Sequence, residues 1–113
     1  MTNTITAWLH DGDLRTDGAA NEVAELVAAH PELLKDLIAA LDFPDDPTRG
    51  RAADALEKVA RTRSEQVLPY LDQVIVLAHY DPVPMVRWHM TMILGYLHPP
   101  GEQAERVRDA LLS

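Results

Sequence analysis

The chain has 113 residues, a net charge of -8 at neutral pH and no cysteine. A chain of this length can bury a sizeable core without a disulfide or a metal, so we expect one domain over residues 1–113. The absence of cysteine excludes disulfides, thiolate nucleophiles and thiolate metal ligands. The acidic balance disfavours nucleic acid and anionic membranes as partners, because both are bound mainly through clustered lysine and arginine.

The N-terminal stretch, residues 1–16, shows no basic region followed by an apolar run. No part of the chain reaches the roughly 18 consecutive apolar residues of a membrane span. We therefore expect a cytoplasmic protein without a membrane partner. Within this stretch Ile5, Trp8 and Leu9 have the spacing of one helical turn, which we expect to pack onto the first helix.

From residue 19 onward, apolar residues recur every three or four positions, and no segment alternates with period two. This periodicity predicts an all-α fold. Proline-rich stretches interrupt the pattern and mark the ends of helices. Together these signals predict five helices and a short helical segment at the C-terminus: 19–29, 31–42, 47–62, 64–80, 84–97 and 101–112.

Local signals add detail to two of these helices. Asp46 is placed to cap the third helix, with Pro47 at its first helical position. Pro69 lies one turn into the fourth helix, where we expect it to bend the helix.

The chain contains an internal repeat of about 38 residues. Leu34 aligns with Leu71 at a shift of 37, and Arg49 aligns with Arg87 at a shift of 38. The one-residue slippage lies in a loop, where insertions are tolerated. Each unit is a helix, an Asp-Pro turn and a second helix that bears an arginine. The repeat divides the chain into two full copies and two partial ones: 30–62 and 64–98, then 1–29 and 99–113.

The Asp-Pro turns, the arginines that follow them and Pro69 within the first helix of a pair resemble HEAT repeats of the armadillo-like superfamily, over residues 19–98. This resemblance implies a short right-handed α-solenoid of antiparallel helix hairpins, with five or six helices. It also implies that the turn aspartates and the arginines form a structural ladder between adjacent repeats: Asp46, Arg49, Asp81 and Arg87.

The fifth helix carries an apolar stripe that the repeat does not require. Trp88, Met92 and Tyr96 are spaced four residues apart, so they share one face of the helix. The equivalent residues of the first copy are small or polar: Gly50, Asp54 and Lys58. Three large apolar side chains are costly to leave in water. Either the segment 101–112 covers the stripe, or the stripe anchors another protein.

The resemblance implies that a partner binds along the second helix of each pair, because that face of a solenoid is concave and continuous. We expect Trp88, Met92 and Tyr96 to be anchors for an acidic amphipathic peptide or a partner helix. The other members of this predicted binding surface are His89, Arg51, Lys58 and Arg61. Two alternatives remain open: a homodimer formed through the same stripe, or a HEAT-like protein that handles nucleic acid or a small ligand.

The histidines and serines are not spaced as a catalytic or metal site requires. None of the five histidines has a partner at i, i+4 on one helix face, and neither serine lies in a Gly-x-Ser-x-Gly context. The glycines are scattered and form no phosphate-binding loop. We expect no enzymatic activity, no cofactor and no metal.

Overall fold

The computed structural model describes residues 5, 9, 18–97 and 101–112. These residues form helices and turns and no strand, which confirms the all-α prediction. We label the helices in chain order: α1 Gly18–Ala29, α2 Leu34–Ala40, α3 Asp46–Thr62, α4 Ser64–Val67, α5 Leu71–Tyr80, α6 Pro84–Tyr96 and α7 Glu102–Leu112. Short 3-10 turns precede α2 and α5: Pro31–Leu33 and Leu68–Tyr70.

Prolines account for both 3-10 turns. Pro31 opens the turn before α2, and Pro69 lies in the turn that separates α4 from α5. Proline has no amide hydrogen to donate to the preceding helical turn, so the regular α-helical bonding is interrupted there. The bend expected at Pro69 is therefore present as a 3-10 turn.

The cap of α3 is Asp45, and the prediction of Asp46 was wrong. The Asp45 carboxylate accepts the Thr48 amide at 2.9 Å, and Asp45 has an extended backbone, with φ -91° and ψ 117°. Asp46 is already the first helical residue and is exposed, which places Pro47 second in the helix. An aspartate just before the first turn accepts hydrogen bonds from amides that have no intrahelical partner. Asp45 and Asp46 are the same residue type, so the sequence alone does not show which of them is the cap.

One continuous apolar cluster forms the core and takes side chains from all the labelled helices. Ile5 and Leu9 belong to it and are almost fully buried, whereas Trp8 lies outside the described residues. The radius of gyration is 13.2 Å. A compact domain of this length is expected to have a value of about 13 Å.

Helices α3 and α6 lie side by side and run in the same direction. At one end, a Cβ added to Gly50 would lie 3.1 Å from the Met85 sulfur. At the other end, the Arg61 and Tyr96 side chains lie close enough to interact, and Tyr96 is the largest cause of the raised pKa of Arg61. The distance along the chain from Gly50 to Arg61 equals the distance from Met85 to Tyr96. The two helices therefore run parallel. Helix α6 also packs against α5, and α3 packs against α1 and α2.

Candidate interaction surface

One side of α6 carries large apolar side chains and faces solvent. Trp88 is 60% exposed and Met85 is 54% exposed, while Met92 is partly buried. Thr91 and Gly95 on the same side are also exposed. We call these five residues the open face of α6. Contiguous exposed apolar surface of this kind is typical of interaction sites.

The start of α6 is determined by the turn before it. The Val83 amide donates to Asp81 Oδ1 at 2.8 Å, which closes the turn, and Pro84 supplies the first helical residue. Proline is favoured there because its φ suits a helix and no amide donor is needed. This fixed start determines which residues of α6 face the core and which form the open face.

The repeat explains why the open face is exposed. On α3, Gly50 lies under Met85 of α6, and Ala53 and Glu57 continue the same side of the helix and are buried. At a shift of 38, these three residues align with Trp88, Thr91 and Gly95. The side of α3 that α6 covers therefore corresponds to the open face of α6. Among the described helices, none covers this face as α6 covers α3.

Helix α7 does not cover Trp88, so of the two alternatives left open by the sequence, coverage of the whole stripe by segment 101–112 does not hold. Val107 is buried beside the C-terminal half of α6, and Arg106 forms an ion pair with Asp72 of α5. These contacts hold α7 away from the N-terminal half of α6. Trp88 remains the more exposed of the stripe residues, because Tyr96 is partly buried.

An apolar groove of about 450 Å³ separates α7 from the end of α6. Its walls are mainly aliphatic and it is open to solvent. Gly95 belongs both to this groove and to the open face, so the two are continuous. We call it the terminal groove, and its lining residues are Leu94, Gly95, Leu97, Ala104, Val107, Arg108, Leu111 and Leu112.

The basic residues predicted to meet an acidic partner are engaged within the chain. Arg51 donates to the Leu9 carbonyl, and Lys58 forms an ion pair with Asp54. Arg51 thus donates to a carbonyl oxygen and Lys58 to a carboxylate. Both cations therefore already have a partner within the chain.

Arg61 and His89 also contact neighbours within the chain. Arg61 is bonded to both oxygens of the buried Glu57, at 2.9 and 2.8 Å. Hydrogen bonds to Tyr96 and Glu57 raise the pKa of Arg61 above its ordinary value. His89 is only 6% exposed and its ring lies 5.0 Å from the Trp88 ring, centroid to centroid. His89 is therefore a buried neighbour of the exposed Trp88 ring.

Three of the four predicted ladder residues are connected by hydrogen bonds, and Asp46 is the exception. Arg49 forms a two-pronged ion pair with Asp81, whose side chain is only 2% exposed. Arg87 donates to the Asp81 backbone carbonyl at 2.6 Å. Arg49 also donates from Nε to the Leu41 carbonyl at 2.6 Å. The Arg49–Asp81 pair joins α3 to the turn before α6, and the other two bonds tie Arg49 to the end of α2 and Arg87 to the turn before its own helix. Asp46 lies on the exposed first turn of α3.

Sequence reasoning missed two parts of the surface. Met85 is one turn before Trp88, and it was missed because it lies three residues from Trp88, outside the i, i+4 stripe formed by Trp88, Met92 and Tyr96. Gly95 lines the terminal groove, and a Cβ added to it would meet no atom within 4 Å. A glycine near the end of an apolar helix was the available signal, since glycine is a poor helix former and often marks close approach.

The described residues include no group of three or more histidine, aspartate or glutamate side chains placed to hold a metal ion. In the same part of the chain, every helix is too short or too polar to cross a membrane.

The chain matches no protein-family model, and comparisons with curated proteins and with solved structures gave no match either.

Proposed function

We propose that this protein is a non-catalytic protein interaction module, and that its partner binds to the open face of α6. The observation that carries the proposal is the 60% exposure of Trp88 beside Met85 on a helix that is otherwise well packed. Burying exposed apolar surface stabilises a complex by about 25 cal/mol per Å² before the costs of association. Tryptophan is favoured as an anchor because it buries a large area with few rotatable bonds.

We further propose a HEAT-like arrangement of two hairpins. Two contacts support it. The parallel packing of α3 and α6, seen at Gly50 with Met85 and at Arg61 with Tyr96, is what successive second helices of a solenoid would have. The ion pair of Arg49 with Asp81 joins one repeat to the turn of the next, as a ladder between repeats requires.

The internal use of the basic residues changes the expected partner. Because Arg51, Lys58 and Arg61 are already bonded within the chain, an acidic peptide would find little unused positive charge beside Trp88. The open face favours an uncharged apolar surface instead, such as one side of a helix with anchors at i, i+3 or i+4 and i+7. Met85 and Met92 suit this role, because methionine adapts its shape to a partner.

The proposal can be tested by photo-crosslinking in cells. A photoreactive phenylalanine analogue would replace Trp88 in one variant and Tyr80 in a control variant. Tyr80 is 80% exposed on α5 and lies off the open face, so it measures nonspecific contact. We expect discrete protein adducts from position 88 and few from position 80. Equal adduct yields from the two positions, or none from position 88, would overturn the proposal.

A further inference from the structure

We propose that the occupant of the open face is a second copy of this chain, in a two-fold symmetric pair of antiparallel α6 helices. This inference rests on the proposed function, because it names the partner of the same face. It adds a geometry: Trp88 of each copy lies over Gly95 of the other, and Thr91 and Met92 lie near the two-fold axis.

The open face is complementary to itself. A two-fold interface uses the same patch twice, so the patch must hold both a projection and a depression. Trp88 is the projection, and Gly95 with the terminal groove is the depression. The two residues are seven positions apart on α6, which is about 10 Å along a helix. An axis midway between them, near Thr91, brings each indole over the glycine of the other copy.

The polar group at the centre of the face can be buried at little cost. Thr91 donates its hydroxyl hydrogen to the Arg87 carbonyl at 2.9 Å. Its hydrogen is therefore already bonded, and the methyl group remains for contact. Burial of a hydroxyl without a bonding partner would cost about 1–3 kcal/mol, a cost avoided here.

Charge also favours this face over others as the place where two copies meet. Each copy carries a net charge of -8, so acidic surfaces of two copies repel. The five residues of the open face are uncharged, and the charged side chain that lines the terminal groove is Arg108. Two copies that meet here bring no carboxylates of the open face together.

The size of the face sets the expected affinity. Helix α6 has 13 residues. Such a helix is about 20 Å long, and a neighbouring helix adds about 10 Å of width. These dimensions give about 200–400 Å², well below the roughly 800 Å² per partner of a standard interface. We therefore expect a dimer with a dissociation constant in the micromolar range, strengthened by salt that screens the mutual repulsion.

Light scattering after size exclusion tests the dimer over a range of protein concentrations. We expect the mass to rise from 12.6 kDa toward twice that value, and to rise at lower concentration in higher salt. Trp88→Glu should weaken dimerisation by roughly thirtyfold or more, as expected for loss of a central anchor. Tyr80→Glu is the matched control, and both variants should keep the helical circular dichroism spectrum because both side chains are exposed.

Three outcomes of this experiment would overturn the inference. They are a monomer at every concentration, a dimer that Trp88→Glu leaves intact, and an equal loss in Tyr80→Glu. The first would leave the proposed function standing if position 88 still crosslinks to a different protein. An absence of adducts at position 88 together with a monomer would overturn both.

The cysteine-free chain permits a direct test of the axis. Thr91→Cys places one thiol from each copy near the two-fold axis, and mild oxidation should link the copies covalently. Tyr80→Cys should give little disulfide-linked dimer under the same conditions. Efficient linkage at position 80, with none at position 91, would place the interface elsewhere and refute the antiparallel α6 pair.

Discussion

Two adjacent aspartates at the start of α3 have different roles. Asp45 accepts hydrogen bonds from the amide and the hydroxyl of Thr48, whereas Asp46 points to solvent from the first helical turn. This cap bond gives the Thr48 amide a hydrogen-bond acceptor, which the first turn of the helix does not provide. An exposed carboxylate in the first turn contributes only through the helix dipole. Alanine substitutions at these two neighbouring aspartates therefore separate the effect of the cap bond from that of the helix dipole.

We expect Asp45→Ala to lower the free energy of unfolding by about 1 kcal/mol. Asp46→Ala should lower it by less, about 0.3–0.5 kcal/mol, because only the dipole interaction is lost. Urea denaturation followed by circular dichroism measures both. A larger loss from Asp46→Ala would show that the cap lies one residue later than described.

Between elements, the ion pair of Arg49 with Asp81 is the polar link from α3 to the turn before α6. We expect Asp81→Ala to destabilise the fold by about 3–5 kcal/mol, since it leaves the mostly buried guanidinium without its partner. The variant also loses the bond from the Val83 amide. Thermal unfolding measures the effect.

A double variant separates loss of the pair from loss of a buried charge. Asp81→Ala combined with Arg49→Met removes both charges and should recover part of the stability lost in Asp81→Ala. If the double variant is less stable than Asp81→Ala by the full cost of Arg49→Met alone, the two side chains act independently and the ladder interpretation fails.

The helical glycines of α3 and α6 differ in their surroundings. Gly95 has open space where a Cβ would lie, whereas Gly50 has the Met85 sulfur 3.1 Å away. We expect Gly95→Ala to raise the free energy of unfolding by about 0.5–1 kcal/mol, because alanine loses less backbone entropy on folding. Gly50→Ala should gain less, since Met85 must shift. Urea denaturation at concentrations below dimer formation tests this, and a loss of stability in Gly95→Ala would contradict it.

The sequence predicts elements better than it predicts contacts between them. Prolines and apolar periodicity place the starts of α3 and α6 within one residue, because both signals act within a single helix. The position of α7 involves an ion pair between Arg106 and Asp72 of α5, which periodicity does not encode. The same holds for Arg51, whose partner Leu9 is 42 residues away.

At the scale of the whole molecule, one tryptophan can report on association. Trp8→Phe leaves Trp88 as the only indole in the chain. In dilute solution we expect emission at long wavelength, because Trp88 is 60% exposed to water. If two copies associate through the open face, the indole enters an apolar site and its emission moves to shorter wavelength.

The dependence of Trp88 emission on protein concentration distinguishes a dimer formed through the open face from one formed through another surface. In the Trp8→Phe variant, the midpoint of the emission shift should equal the midpoint of the mass increase seen by light scattering, because both report one equilibrium. A mass increase without an emission shift would mean that copies associate through another surface. An emission at short wavelength in the dilute monomer would mean that the chain itself covers Trp88, and the open face would then lose its role as a binding site.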